Sequence, residues 1–258
     1  MNRKNFIQLM AAGGASFLGG KVIAQPSSPL QLSDGPPTPK TGGVIPWGRL
    51  RFRGRDRNQG IDADDWGVHP NGDLNFIDHL QLDTTANISS KWNVADVAQL
   101  DELQNYPFLF MHAEVPPDFN DAERANLREY LLRGGFLFAE DCVIGNRGMG
   151  YNPHNDHLFR RMAETEFAKI LPEAKLEKLP FDHPVFHNVY DFKQGMPHMQ
   201  GTEHGLHGLI LNGRVVALLS PSDLHCGWTN GDNWFGPEKN LQSLQMGTNI
   251  YTLAMTQP

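Results

Sequence analysis

The stretch that decides the fold runs from Tyr106 to Cys142: YPFLFMHAEVPPDFNDAERANLREYLLRGGFLFAEDC. Tyr106 to Ala113 is a nearly unbroken apolar run of strand length, the pattern of a strand covered on both faces. Asn120 can cap a helix, Glu123 stands three residues on, and Leu127, Tyr130, Leu131 and Leu132 supply an apolar stripe. Gly134-Gly135 stops that helix, and Phe136 to Ala139 starts a second apolar strand that breaks off at Glu140-Asp141-Cys142. Strand, helix and strand in this order make a βαβ crossover, which is right-handed and builds a parallel sheet.

Upstream, Arg49 to Phe52 predicts a first short strand in a domain that begins near Trp47. Residues 54–73 are polar and Asp/Gly-rich and read as a long loop; Phe76, Ile77, Leu80 and Leu82 then give a short amphipathic helix. Downstream, a Gly/Asn loop at 145–153 precedes a helix over His157 to Ile170, and Leu176 to Leu179 reads as a short strand. Leu209 to Leu211, Asn212-Gly213 and Val215 to Leu219 form a hairpin with the preferred turn dipeptide, and Leu241 to Met255 is a closing helix. The expectation is one α/β layered domain over residues 47–258 with an added antiparallel hairpin.

Residues 25–46 hold six of the 18 prolines and read as a linker or extended arm. Residues 1–24 read as an export signal: Arg3-Lys4, a mostly apolar stretch from Phe6 to Leu18, and a cleavage site after Ala24. Asn2 to Ile7 is similar to a twin-arginine signal with Lys in place of the second Arg; ordinary Sec export is the alternative. Either route places the chain in the periplasm or outside the cell. The apolar stretch is too short and Gly-rich for a membrane span. The formal charge is −7, and without the three basic residues of the signal 19 basic face 29 acidic residues, a net −10. Such acidity gains nothing from counterion release on a phosphate backbone, so nucleic acid is not an expected partner. The two cysteines, Cys142 and Cys226, are equally compatible with one disulfide and with free thiols.

The 106–142 stretch, FDHPVFH at 181–187 and SPSDLHCGW at 220–228 resemble, in that order, the domain-of-unknown-function 4159 family, over about Trp47 to Met255. The strand, helix and Gly-Gly strand layout is also similar to the trehalose-utilisation (ThuA-like) and class I glutamine amidotransferase-like superfamily. That resemblance implies a flavodoxin-like fold: a three-layer parallel sheet with the hairpin added. The family name implies no reaction. In the amidotransferases a nucleophilic Cys sits on the turn after the Gly-rich strand, with His and Glu placed much later. Cys142 lies near that turn, but Glu140 and Asp141 replace the glycines of a tight elbow and no late His-x-Glu follows. Adjacent carboxylates also raise a thiol pKa.

Ligands of open α/β sheets bind outside the carboxyl ends of the strands. There the sequence places His112 and Glu114 after one strand and Glu140, Asp141 and Cys142 after the other, facing one cleft if the strands are neighbours. His112 is the candidate general base, and Glu140 or Asp141 would orient it or hold a divalent metal. Asp223 and His225, past a later strand end, would complete the pocket. The competing structural uses are a cap or ion pair for Glu140 and Asp141, with Arg147 or Arg160, and a core position for His112. His187 follows an Asp-His-Pro turn in which Asp182 can fix the imidazole tautomer. Trp66, Trp228, Trp234 and Phe235 lie in polar stretches, where aromatic rings either stack on a sugar-like ligand or pin loops to the core. Trp66, Glu114, Cys142, His187 and Trp228 are therefore candidate ligand contacts. The Asp62 to Asp65 run lacks the continuation of a calcium loop. Two readings follow: a hydrolase-like enzyme for a small polar or sugar-like substrate, and a non-catalytic binding or assembly domain that has lost the nucleophile elbow.

Overall fold

Side chains alternate across a strand, and two adjacent strands use this to define both layers of the core. The structure, a computed structural model, describes residues 43–55, 62–63, 66–143, 157–200 and 203–257. In strand β5 (Phe108–Ala113), Phe108, Phe110 and His112 share one face and Leu109, Met111 and Ala113 the other. Strand β6 (Phe136–Asp141) runs parallel to β5, with Phe108 opposite Phe136 and His112 opposite Glu140. The two faces lead to two separate apolar clusters.

Seven strands form the sheet. With β1 (Ile45–Arg51), β4 (Ile88–Asp96), β7 (Lys175–Lys178), β8 (His207–Leu211) and β9 (Arg214–Ser220), the order is β4-β1-β5-β6-β9-β8-β7. The first five are mutually parallel, and β8 turns antiparallel to β9 and β7. In chain order the parallel strands lie second, first, third, fourth, fifth, the flavodoxin-like arrangement, with its switch point between β1 and β5. A separate two-residue pairing joins β2 (Gly54–Arg55) to β3 (Asp62–Ala63). The hairpin turn between β8 and β9 has Asn212 and Gly213 at φ 52 and 79, the two left-handed positions that this tight turn requires.

One face of the sheet is covered by α1 (Pro70–Asp83), α5 (Leu224–Trp234) and α6 (Pro237–Thr256). Trp47 is its centre, with ring centroids of Phe76, Phe108, Phe110, Tyr251 and Trp228 at 5.1 to 6.5 Å. The other face is covered by the short α2 (Leu100–Leu103), by α3 (Asp121–Leu132) and by a continuous helix α4 over residues 157–170. The middle of α4, Met162–Glu166, is a π turn. Asn120 and Glu123 form the expected capping box on α3. After α3, Gly134 takes φ 96, and Gly135 lies against the Tyr130 ring where a Cβ has no room. The Tyr130 hydroxyl donates to Phe136 O at 2.9 Å, tying the helix to the start of β6.

Several expectations change. Strand β4 was not expected; α1 begins at Pro70, inside the stretch read as loop; and the closing helix starts at Pro237. Trp228 and Trp234 lie on α5 rather than in loops. The export signal, the arm up to residue 42, the 145–153 loop, Arg147 and the side chains of Asp62 to Asp65 lie outside the described residues. Among the described residues no helix is long and apolar enough to cross a membrane.

Candidate functional site

The site grows from β-strand alternation. Trp47 and Arg49 on β1, Phe110 and His112 on β5, and Phe138 and Glu140 on β6 all face α1 and α5, so the apolar face ends in charged and imidazole groups at its carboxyl edge. Asp73, one turn before Phe76 and Ile77 on α1, meets them from above. Arg49, Asp73, His112, Glu140, Asp223 and His225 are all buried.

Asp73 is the hub. Its Oδ1 accepts from Trp47 Nε1 at 2.7 Å, and its Oδ2 pairs with Arg49 Nη1 at 2.5 Å and His225 Nε2 at 3.0 Å. Arg49 is clamped further by donating to Trp66 O at 2.9 Å and Val68 O at 3.1 Å. Burial raises the Asp73 carboxyl pKa, and the Arg49 guanidinium and Trp47 N–H oppose it. His225 Nε2 lies 3.0 Å from Asp73 Oδ2 and 3.3 Å from Arg49 Nη1; the carboxylate contact is the shorter, and Arg49 Nη1 already donates to Asp73, so the proton is assigned to Nε2 and His225 Nδ1, a buried atom with no hydrogen-bond partner, is the acceptor. Burial, with Arg49 and His69 adding, holds His225 well below the ordinary imidazole pKa, so the ring is neutral. Gly72 makes this approach possible, because a Cβ there would stand 2.6 Å from His225 Nε2.

The His112 ring lies 4.2 Å from that of His225, centroid to centroid, and neither of its nitrogens has a hydrogen-bond partner. Burial, then His225, Arg49 and His69, depress its pKa. Beyond it, one ligand atom from each of His112, Cys142, Asp223 and Cys226 lies within 4.8 Å of the others, and the two Sγ atoms are 3.6 Å apart as free thiols. Asp223 opens α5 at φ 57; burial pushes its pKa to about 7 against a hydrogen bond from Gln200. The Cys142 thiol is raised well above its usual value by its contact with Cys226 and by burial. The contact with Cys142 pulls Cys226 down, but burial and Asp223 push it up to about 12. An outer group of His69, Glu114 and Cys142 continues toward solvent, its first two residues half-buried, with Glu114 Oε1 4.0 Å from Cys142 Sγ. His69 also meets the half-exposed Trp234 edge-on at 5.3 Å.

Glu140 and Asp141 do not face one cleft, because neighbours on a strand point to opposite faces. Glu140 closes the start of α5: it accepts from Ser220 Oγ at 3.0 Å and from the backbone N–H groups of Leu224 and His225, both at 2.8 Å. Burial and Asp223 push its pKa to about 8 despite these donors. Asp141, on the other face, accepts from Phe159 N at 2.7 Å at the start of α4. His187 belongs to the 180–192 loop, where it bonds Asp191 Oδ1 at 2.7 Å and Phe181 O at 2.8 Å. Trp228 is spent in the core, stacked on Phe76 at 4.3 Å with its N–H given to Ser243 O. Trp66 is half-buried over both clusters. A cavity of about 780 Å³ lies on the hairpin side, between Lys178, Phe181, Lys193 and Met196; among the described residues it meets this polar cluster only through Ser222, next to Asp223.

Arg49, Asp73 and His69 were missed by sequence reasoning. Two carried a signal: Arg49 alternates with Trp47, and Asp73 falls on the 73-76-77-80 stripe, so each is a charge on an apolar face.

These features define a flavodoxin-like α/β domain whose carboxyl sheet edge carries a buried Arg-Asp-His couple beside a His/Cys/Asp group. The chain belongs to the family described as Domain of unknown function (DUF4159), whose model matches residues 57–255. Among curated proteins none matches it.

Proposed function

We propose that the domain is an exported, hydrolase-like enzyme that acts on a small polar or sugar-like substrate by proton transfer at His225. The observation that carries this reading is the Asp73–His225 couple, with Nδ1 left as an acceptor. His225 Nδ1 takes a proton from water as the water oxygen bonds to the electrophilic carbon, and returns it to the departing oxygen of the substrate. Asp73 and Arg49 position the ring, Glu140 positions the first turn of α5, and His112 borders the reacting atoms. His69 and Glu114 are half-buried on the outward side of the couple, and the half-exposed Trp234 against His69 offers a face for a sugar ring. The strand order supports the wider likeness to the glutamine amidotransferase-like and ThuA-like proteins, but Cys142 is unsuited to attack because its thiol keeps its proton. The export signal read in residues 1–24 would direct this activity to the periplasm or outside the cell, and N-terminal sequencing of exported protein should begin at Gln25.

One observation favours the non-catalytic alternative: Arg49 already neutralises Asp73, which weakens the stabilisation of an imidazolium. Hydrolysis of 4-nitrophenyl esters and glycosides separates the two. The enzyme reading expects turnover that falls at least a hundredfold in His225→Gln, with folding retained by circular dichroism. Equal rates in the two proteins overturn it. Saturable sugar binding, lost in Trp234→Ala and unaccompanied by turnover, establishes the binding-domain reading instead.

A further inference from the structure

We infer that His112, Cys142, Asp223 and Cys226 form a four-ligand site for a soft divalent transition ion of the zinc class. Three separate segments deliver the set: the end of β5, the residue after β6, and the start of α5, where Asp223 just before the helix and Cys226 in its first turn stand three apart. In a tetrahedral site with Zn–S bonds of about 2.3 Å, two thiolate sulfurs are separated by about 3.8 Å; here the sulfurs are 3.6 Å apart. The other separations are all within 4.8 Å, so the ligands draw in by at most about 1.4 Å to reach tetrahedral spacing.

The second, independent observation is His112. Both of its nitrogens are buried without a hydrogen-bond partner, a condition that an imidazole avoids unless something else is coordinated there. A disulfide between Cys142 and Cys226 would use two of the four groups and leave that imidazole as it is. A thiol–thiol hydrogen bond has the same defect. A metal ion gives each of the four groups a bond, taking one of the two His112 nitrogens. Two thiolates and an imidazole select zinc-like ions over magnesium or calcium, which take oxygen ligands. On binding, each metal–sulfur bond forms as the Sγ–H proton leaves to the buffer, so loading releases the two thiol protons, with any proton still held by Asp223, and leaves the oxidation state of sulfur unchanged. With every ligand buried and supplied by the protein, the ion ties β5, β6 and α5 together, and this role stands whether or not His225 acts as a base.

The test is cobalt(II) titration of the full chain after reduction and chelation. The expected result is one equivalent bound, with intense tetrahedral d–d bands and a thiolate-to-cobalt charge-transfer band, and two thiols shielded from a thiol reagent. Cys142→Ser and Cys226→Ser each weaken the charge-transfer band, and His112→Gln lowers cobalt affinity at least tenfold, with circular dichroism verifying the fold. His225→Gln keeps the cobalt spectrum while removing the proposed hydrolysis, so the two ideas fail separately. A weak octahedral spectrum without charge transfer overturns the proposal, as does a folded, reduced chain that takes up no cobalt. Native protein isolated with Cys142 and Cys226 joined in a disulfide also overturns it.

Discussion

Asp73 and Glu166 are both fully buried carboxylates held by arginine, yet they sit in centres of different kinds. Glu166, on the π turn of α4, accepts from Arg124 at 2.8 and 3.3 Å and forms an ion pair with Arg161 Nε at 2.8 Å that lacks hydrogen-bond geometry, so both carboxylate oxygens are engaged in joining α3 to α4. Asn249 on α6 is equally complete, receiving the backbone N–H of Tyr190 at 2.9 Å and donating to its carbonyl at 2.8 Å. Around Asp73 the network stays open, ending at His225 Nδ1 and both nitrogens of His112. Single unpartnered atoms also occur in the core, at Trp92, Tyr106 and Tyr251; what sets this region apart is that three unpartnered nitrogens lie on two touching rings, whereas the Glu166 and Asn249 groups are spent as struts.

The largest way to break this comparison is Asp73→Ala, which leaves Arg49 charged and alone in the core. A loss of about 3–5 kcal/mol is expected, read as a fall in thermal midpoint of about 10 °C or more. Glu166→Ala should cost less, about 2–3 kcal/mol, because Arg124 and Arg161 are 13% and 24% exposed and can turn to water. A larger loss at Glu166 than at Asp73 would reverse the ranking. Asn249→Ala strips a partner from backbone groups of the 188–190 loop and should cost about 1–3 kcal/mol, with hydrolysis and cobalt binding untouched. By contrast, His112→Leu in metal-free protein removes nitrogens that bond nothing, so its unfolding free energy in urea should hold within about 1 kcal/mol or rise. A drop beyond about 2 kcal/mol would mean that the imidazole has a structural partner.

The smallest effect lies outside both centres. The hydrogen bond from His187 to Asp191 raises the imidazole above its ordinary 6.5, with Phe181 O adding. A pKa raised on folding contributes stability that is complete below the unfolded value and is lost as pH rises through the folded one. Proton NMR should therefore find His187 titrating above 6.5, and Asp191→Asn should bring it back toward that value; no change in the variant would remove the assignment.

The centre of the fold was legible because β5, α3 and β6 are delimited by local chemistry: apolar strand runs, an Asn-x-x-Glu cap and a Gly-Gly stop. Strand β4 was not, because an edge strand with Ser89, Ser90, Lys91 and Asn93 carries little apolar alternation; its place depends on pairing with β1. The site was legible as a neighbourhood and not as an arrangement. His112, Cys142, Asp223 and His225 were expected near one another and do converge, because strand ends are set by topology. Which groups oppose which depends on faces: Glu140 and Asp141 are adjacent in sequence, yet one caps α5 and the other α4. Trp228 looked like a loop residue because Gly227, Asn230 and Gly231 flank it; its burial is decided by α1 and α6 packing against it.

The π turn of α4 has a bearing on the lengths this domain tolerates. A π turn holds one residue more than an α turn spanning the same rise, and that extra residue swings Glu166 in between Arg124 and Arg161. Removing any one residue from Met162 to Thr165 would return the turn to α geometry and shift the glutamate by about 100° around the axis relative to Arg161. Insertions and deletions are usually thought to be confined to loops; in this chain a helix interior also counts its residues.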